Sequence, residues 1–118
     1  MADFIPTFSP GRAVTFQATA AVTGGTLVTV SADRSVRTAG AADLVIGTAG
    51  FDAGIGDDVT VFLRGNGVHT LTADGPVDAG DQVATASGGT VATLTEGGIP
   101  FGVALTTSGD GGSVEVVV

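Results

Sequence analysis

The stretch GIGDDVTVFL, residues 54–63, is matched 55 residues later by GDGGSVEVVV, residues 109–118. In each, a glycine-rich lead opens into a run whose valines stand at every second place, Val59 and Val61 in one and Val114 and Val116 in the other. Strict alternation is the pattern of a strand with one face on a core and one in water, and glycines ahead of it suit the turn that delivers the strand. A helix would need apolar residues at three- and four-residue spacing, which neither stretch has.

The same offset carries outward without a gap. Residues 14–63 align with residues 69–118, and 13 of the 50 pairs are identical. The identities fall on strand valines such as Val28/Val83 and Val36/Val91, and on glycines such as Gly25/Gly80, Gly47/Gly102 and Gly56/Gly111. Matched glycines and valines in one register predict an internal duplication, with the two copies lying inside a single β domain over 14–118. Alternation also marks AVTFQATA (13–20), LVTVS (27–31), HTLTA (69–73) and TVATLT (90–95). With 20 glycines in 118 residues and no lysine, the chain is poor in helix formers. The expected fold is all-β, a small β-barrel or sandwich built from two similar halves. One short turn is allowed over residues 39–43. Arg64-Gly65-Asn66-Gly67 carries the Asn-Gly pair of a tight primed turn and predicts a hairpin joining the strands on either side.

Charge and composition exclude several functions. Twelve acids against four arginines give a net charge of -8, the wrong sign for a protein that neutralises phosphates, so nucleic acid is not an expected partner. The segment MADFIPTFSPGRA has neither a basic leader nor a long apolar run, and no secretory signal or membrane partner is expected. With no cysteine, disulfides, thiolate metal sites and cysteine nucleophiles fall away together. A Walker motif would need the lysine that the chain lacks, and no serine sits in a G-x-S-x-G elbow. His69 is the only histidine, so a zinc site would have carboxylates as its remaining protein ligands. Six phenylalanines without tyrosine or tryptophan disfavour a sugar-stacking platform. No catalytic residue, cofactor or metal is expected.

The cluster DAGIGDD, with Asp52, Asp57 and Asp58 among glycines, has the composition of a calcium loop. Its partner in the second copy keeps Gly109 and Gly111 but replaces the acids by Thr107, Gly112 and Ser113. What the copies share is turn geometry, so the cluster reads as a corner between strands.

Residues 1–13 differ from the rest. Phe4, Ile5 and Phe8 stand among Pro6, Pro10 and Gly11, an apolar segment unsuited to a helix and expected to form an extended N-terminal arm. Such an arm needs a surface, either its own domain or a neighbouring chain. The arginines Arg12, Arg34, Arg37 and Arg64 are the permanent cations of an acidic chain. They serve solubility or pair with acids on a partner.

The order of motifs, F-x-P-G-x-x-x-T-F-x-A-T-A-x-V-x-G-G over residues 8–25, then LVIGTAGFDAGIGDDVTVFLRG, GPVDAGDQVATASGGTVATL and IPFGVALTTSGDGGSVEVVV, resembles the small capsid decoration, or cement, proteins of tailed bacteriophages. The resemblance covers nearly the whole chain. It implies a structural β-rich protein that binds the major capsid protein on the outer surface of the head. It further implies assembly as a homotrimer, stabilisation of the shell against internal DNA pressure, and no catalysis. The location implied is the virion's outer capsid surface, reached from the host cytoplasm. The competing classes are a fibre, spike or adhesin domain that recognises a glycan or receptor, and a small hydrolase.

Overall fold

The structure, a computed structural model, describes residues 12–65 and 67–118 and is all-β. The strands of the first half are β1 (Ala13–Ala18), β2 (Leu27–Ala32), β3 (Ser35–Thr38), β4 (Gly47–Ala49) and β5 (Asp58–Leu63). Those of the second are β6 (Val68–Thr72), β7 (Gln82–Thr85), β8 (Val91–Thr93), β9 (Gly102–Ala104) and β10 (Ser113–Val117). A single 3-10 turn, Ser87–Gly89, lies between β7 and β8.

The first half closes into a barrel in the order β1-β3-β2-β4-β5, where β5 pairs antiparallel with both β1 and β4 and a short parallel ladder joins β1 to β3. The second half repeats this order as a sheet, β6-β10-β9-β7-β8. Its ladders keep the register at the offset read from the sequence: Val14↔Val61 becomes His69↔Val116, and Phe16↔Val59 becomes Leu71↔Val114. The isolated bridge Val22↔Ala53 likewise returns as Val77↔Ser108.

Alternation places matching residues inside. The barrel core holds Ala18, Val22, Val28, Val36, Ala49, Val59 and Val61; the residue 55 places after each of them lies in the core of the second half. Two glycines allow the strands to close over these cores. A Cβ on Gly47 would strike the Phe62 carbonyl and come within 2.9 Å of Val61 Cγ1, and one on Gly102 would strike the Val117 carbonyl and come within 2.7 Å of Val116 Cγ1. Backbone shape is shared even where residue type is not: Ala42 has φ 66° and its counterpart Gly97 has φ 82°.

The halves part at one seam. The two-residue parallel ladder that shuts the barrel, Gln17↔Ser35 and Ala18↔Val36, is reduced to a single bridge, Ala73↔Val91, in the second half. Through that opening the second core takes in Leu27, Ala39 and Val45 of the first half. Leu27 can reach it because its neighbour Val28 points into the barrel, so Leu27 points out. Gly89 of the 3-10 turn leans on this strand: its amide donates to the Ala39 carbonyl at 2.9 Å, and a Cβ there would lie 2.7 Å from Thr26 Cβ.

The hairpin expected at Arg64–Gly67 is corrected by the topology. Strand β5 already lies between β1 and β4, and β6 pairs with β10, so the segment links two sheets. Asn66 lies outside the described residues, and the free edge that a hairpin needs does not exist on β5. At residues 40–43 there is a tight turn, closed by the Asp43 amide donating to the Gly40 carbonyl at 3.3 Å.

Candidate attachment surface

Phe4, Ile5 and Phe8 lie outside the described residues. The structure does place the root of their segment. Arg12 and Ala13, expected as the last residues of the arm, already belong to the barrel: the Leu63 amide donates to the Arg12 carbonyl at 3.1 Å, and Ala13 pairs with Phe62.

The four arginines divide into two groups. Arg12 and Arg64 flank the start of β1 and the end of β5, and the Arg64 guanidinium donates to the carbonyls of Val45 and Phe101, both at 3.4 Å. Arg64 therefore also ties the first half to the second. Arg34 and Arg37 sit at the other end of β1, in and after the turn from β2 to β3. Arg34 is exposed, adopts φ 49°, and its carbonyl accepts from the Gln17 amide. Arg37 forms an ion pair with Asp43 at 3.0 Å. The Gly40 amide and the Arg37 guanidinium hold the Asp43 carboxyl below its usual range. The sequence grouped these four by charge; the fold puts one pair at the arm's root and the other about a strand's length away.

The acid-and-glycine cluster serves its turns. Asp52 Oδ1 accepts from the Gly24 amide at 2.8 Å, and Asp57 Oδ2 accepts from the Gly54 amide at 3.2 Å. In the second copy Thr107 stands in for Asp52, its Oγ1 accepting from the Ala79 amide at 3.1 Å. A carboxylate and a hydroxyl thus fill one structural role, accepting a hydrogen bond from a loop amide, which both can do. Among the described residues, no three His, Asp or Glu side chains group in a way that could hold a metal.

One feature missed by sequence reasoning is an exposed apolar surface. Beside the arm's root, Thr48, Phe62, Val68, His69 and Thr70 line a shallow groove of about 350 Å³. There His69 Nδ1 lies 2.8 Å from Thr48 Oγ1. From Val68 the apolar surface continues across neighbouring strands to Val117 and Val103, in register, and along β9 to Leu105. Alternation predicts which valines point away from the core, but such a residue ordinarily faces water alone; here cross-strand register gathers three of them. Adjacent exposed apolar side chains of this kind mark contact surfaces. The chemistry available is that of area, shape and a few cations at one edge.

Comparisons with known proteins agree with a contact role. The family described as phage cement protein matches residues 8–118. Among solved structures, the crystal structure of the head fiber gp8.5 N base in bacteriophage phi29 superposes with a TM-score of 0.76, at 21% identity, over 90% of this chain and 92% of that one; at this identity the likeness concerns the fold. No curated protein matches. A match over nearly the whole chain assigns it: the chain belongs to the phage cement protein family and is a structural protein of the phage head.

Proposed function

We propose that this protein decorates the outer surface of a phage head by binding the major capsid protein shell, and that it stabilises the shell as a homotrimer, having folded in the host cytoplasm before assembly. The observation that carries the reading is the family match from residue 8 to residue 118, which spans the barrel, the second sheet and the end of the arm. The geometry supports it. Arg12 and Arg64 lie where residue 12 enters the barrel, so a partner that holds the segment before it meets a cationic edge there. Burial of Phe4, Ile5 and Phe8 contributes about 1.5 to 3 kcal/mol each before ordering costs, and several arms on one particle add by avidity. Arg34, at the opposite end of β1, suits acids on an adjacent capsid subunit, while Arg37 beside it is held by Asp43. A protein attached at more than one point resists separation of the subunits beneath it, which is the physical meaning of cement.

The test is co-sedimentation with undecorated heads. Because Ala13 belongs to β1, the deletion removes residues 2–11. It should leave the melting transition in place and lower head binding more than tenfold, while Phe4→Ala with Phe8→Ala in the full chain should lower it in part. Undiminished binding by the deletion variant would remove the arm from the account. Failure of the intact protein to bind heads would favour the second reading, a fibre, spike or adhesin domain that recognises a glycan or receptor. That reading draws on the fold shared with the base of a head fiber.

A further inference from the structure

The outer face of β3 differs from that of its counterpart β8. In the first half Arg37 of β3 stands opposite Thr29 of β2 in register, and its side chain reaches the turn at residues 40–43. There Nη1 donates to Asp43 Oδ2 at 3.0 Å and to the Thr38 carbonyl at 3.2 Å, so a guanidinium lies on the outside of the barrel with a carboxylate at its head. In the second copy both ends of that pair are gone. Ala92 replaces Arg37 and Gly98 replaces Asp43, while Ala92 keeps the matching register opposite Ala84. At this place there is an open pocket of about 440 Å³, lined by Ala84, Ala92, Thr93, Gly98 and Ile99 among others. Two carboxylates also line it, Asp74 and Glu96, where the first half has the uncharged Thr19 and Ala41. Both acids are exposed, and neither carboxylate has a hydrogen-bond or ion-pair partner among the described residues.

We propose that this pocket receives an arginine side chain from a partner protein, seated in the second half as Arg37 is seated in the first but delivered from outside. Two independent observations identify the occupant. The first is the repeat: on the same fold, at the equivalent place, the group that lies on this face is a guanidinium held by a carboxylate and a strand carbonyl. The second is charge. Arg37 and Asp43 cancel in the first half, whereas the second half loses the cation and lines its pocket with two acids, so the place calls for a positive group that the chain does not supply. Shape agrees with both. The small side chains Ala84 and Ala92, with Ile99, suit the methylene stem of an arginine, and a carboxylate accepts the fork of its planar head through two parallel hydrogen bonds. A lysine ammonium is a point charge and lacks that fork, so arginine is the better fit. The pocket thus adds an acidic recess to a protein whose edge at residue 12 is cationic.

An NMR titration of the isotopically labelled full chain tests this, with the peptide acetyl-Gly-Arg-Gly-amide as probe and its citrulline analogue, which has the same shape without the charge, as control. The arginine peptide should shift the amides of Ala84, Ala92 and Gly97 along one saturable curve, more weakly as sodium chloride is raised, and the citrulline peptide should shift them far less. Glu96→Gln should weaken binding about threefold, and Glu96→Gln with Asp74→Asn about tenfold. Ala92→Arg, which fills the pocket from the chain itself, should abolish it, with circular dichroism confirming the fold; the two exposed acids carry the test should that variant not fold. Shifts scattered over the acids of the whole chain, a citrulline peptide that binds as well as the arginine one, or unchanged binding in the doubly neutralised variant would overturn the proposal. The titration is read on the free protein, so its outcome is separate from capsid attachment: peptide binding without head binding would leave the pocket standing and remove the capsid reading, and head binding without peptide binding would do the reverse.

Discussion

The two halves share ladder register and core positions, yet one is a closed barrel and the other an open sheet completed by its neighbour. The difference rests on few residues. A parallel ladder of two pairs seals the first half, and a single bridge leaves the second ajar for Leu27, Ala39 and Val45. Strand order and register can thus be kept while closure changes, and closure decides which outer faces remain available to a partner. The largest effect should come from the residue that crosses the seam. Leu27→Ala should cost about 2 to 5 kcal/mol, read by urea denaturation, and should expose the second half to hydrogen exchange before the first. Uniform loss of protection across both halves would break the contrast between a self-sufficient barrel and a dependent sheet.

The next test concerns what the halves have in common. Gly47→Ala and Gly102→Ala put a Cβ against a facing carbonyl and a core valine in equivalent places, and each should cost about 1 to 3 kcal/mol. If one were harmless and the other severe, the equivalence of the strands would not extend to their packing. Smaller effects belong to the turns. Asp52→Ala and Thr107→Ala each free one loop amide and should cost about 0.5 to 1.5 kcal/mol, with Asp52→Thr milder than Asp52→Ala. The melting temperature should be the same in calcium and in chelator; a site saturated a hundredfold would add roughly 2.7 kcal/mol, so a clear fall in chelator would return the acidic corner to the status of a metal site.

The smallest effect is a pH response confined to the first half. Asp43 is held below its ordinary value of 3.8 by the Gly40 amide and Arg37, whereas its counterpart in the second half is Gly98, which has no charge to lose. A depressed carboxyl stabilises the folded state above the unfolded pKa and loses that contribution as pH falls through the folded one. Amide exchange, after allowance for its intrinsic pH dependence, should therefore lose protection at residues 40–43 below about pH 3.8 while the corresponding turn at 95–98 does not change. Equal loosening of both turns would show that another group is responsible.

Much of this architecture was legible in the sequence, for physical reasons. Strands such as β5 and β10 have one wet face and one buried face, so their valines alternate visibly, and the repeat offset survives because core valines and close-approach glycines tolerate little change. The short strands β3, β4, β7 and β9 escaped notice: each has three or four residues and offers too few side chains for a pattern. Leu27 looked like any strand residue, since alternation says which way a side chain points but not what waits outside the barrel. The same holds for Val117 and Val103, whose gathering into a surface depends on register across strands. The Asn-Gly segment misled because turn chemistry is local, while the choice of strand partner is settled by which edges the rest of the fold leaves open. Of the candidate attachment residues, sequence identified the cations but could not divide them between the ends of β1.

The most direct measurement of the central claim is a cryo-electron microscopy reconstruction of undecorated heads after incubation with the protein. The account predicts added density on the outer surface at symmetry-related positions, into which the barrel and second sheet fit with the root of the arm, Arg12 and Arg64, toward the shell. Heads without added density, or density confined to a tail structure, would contradict it.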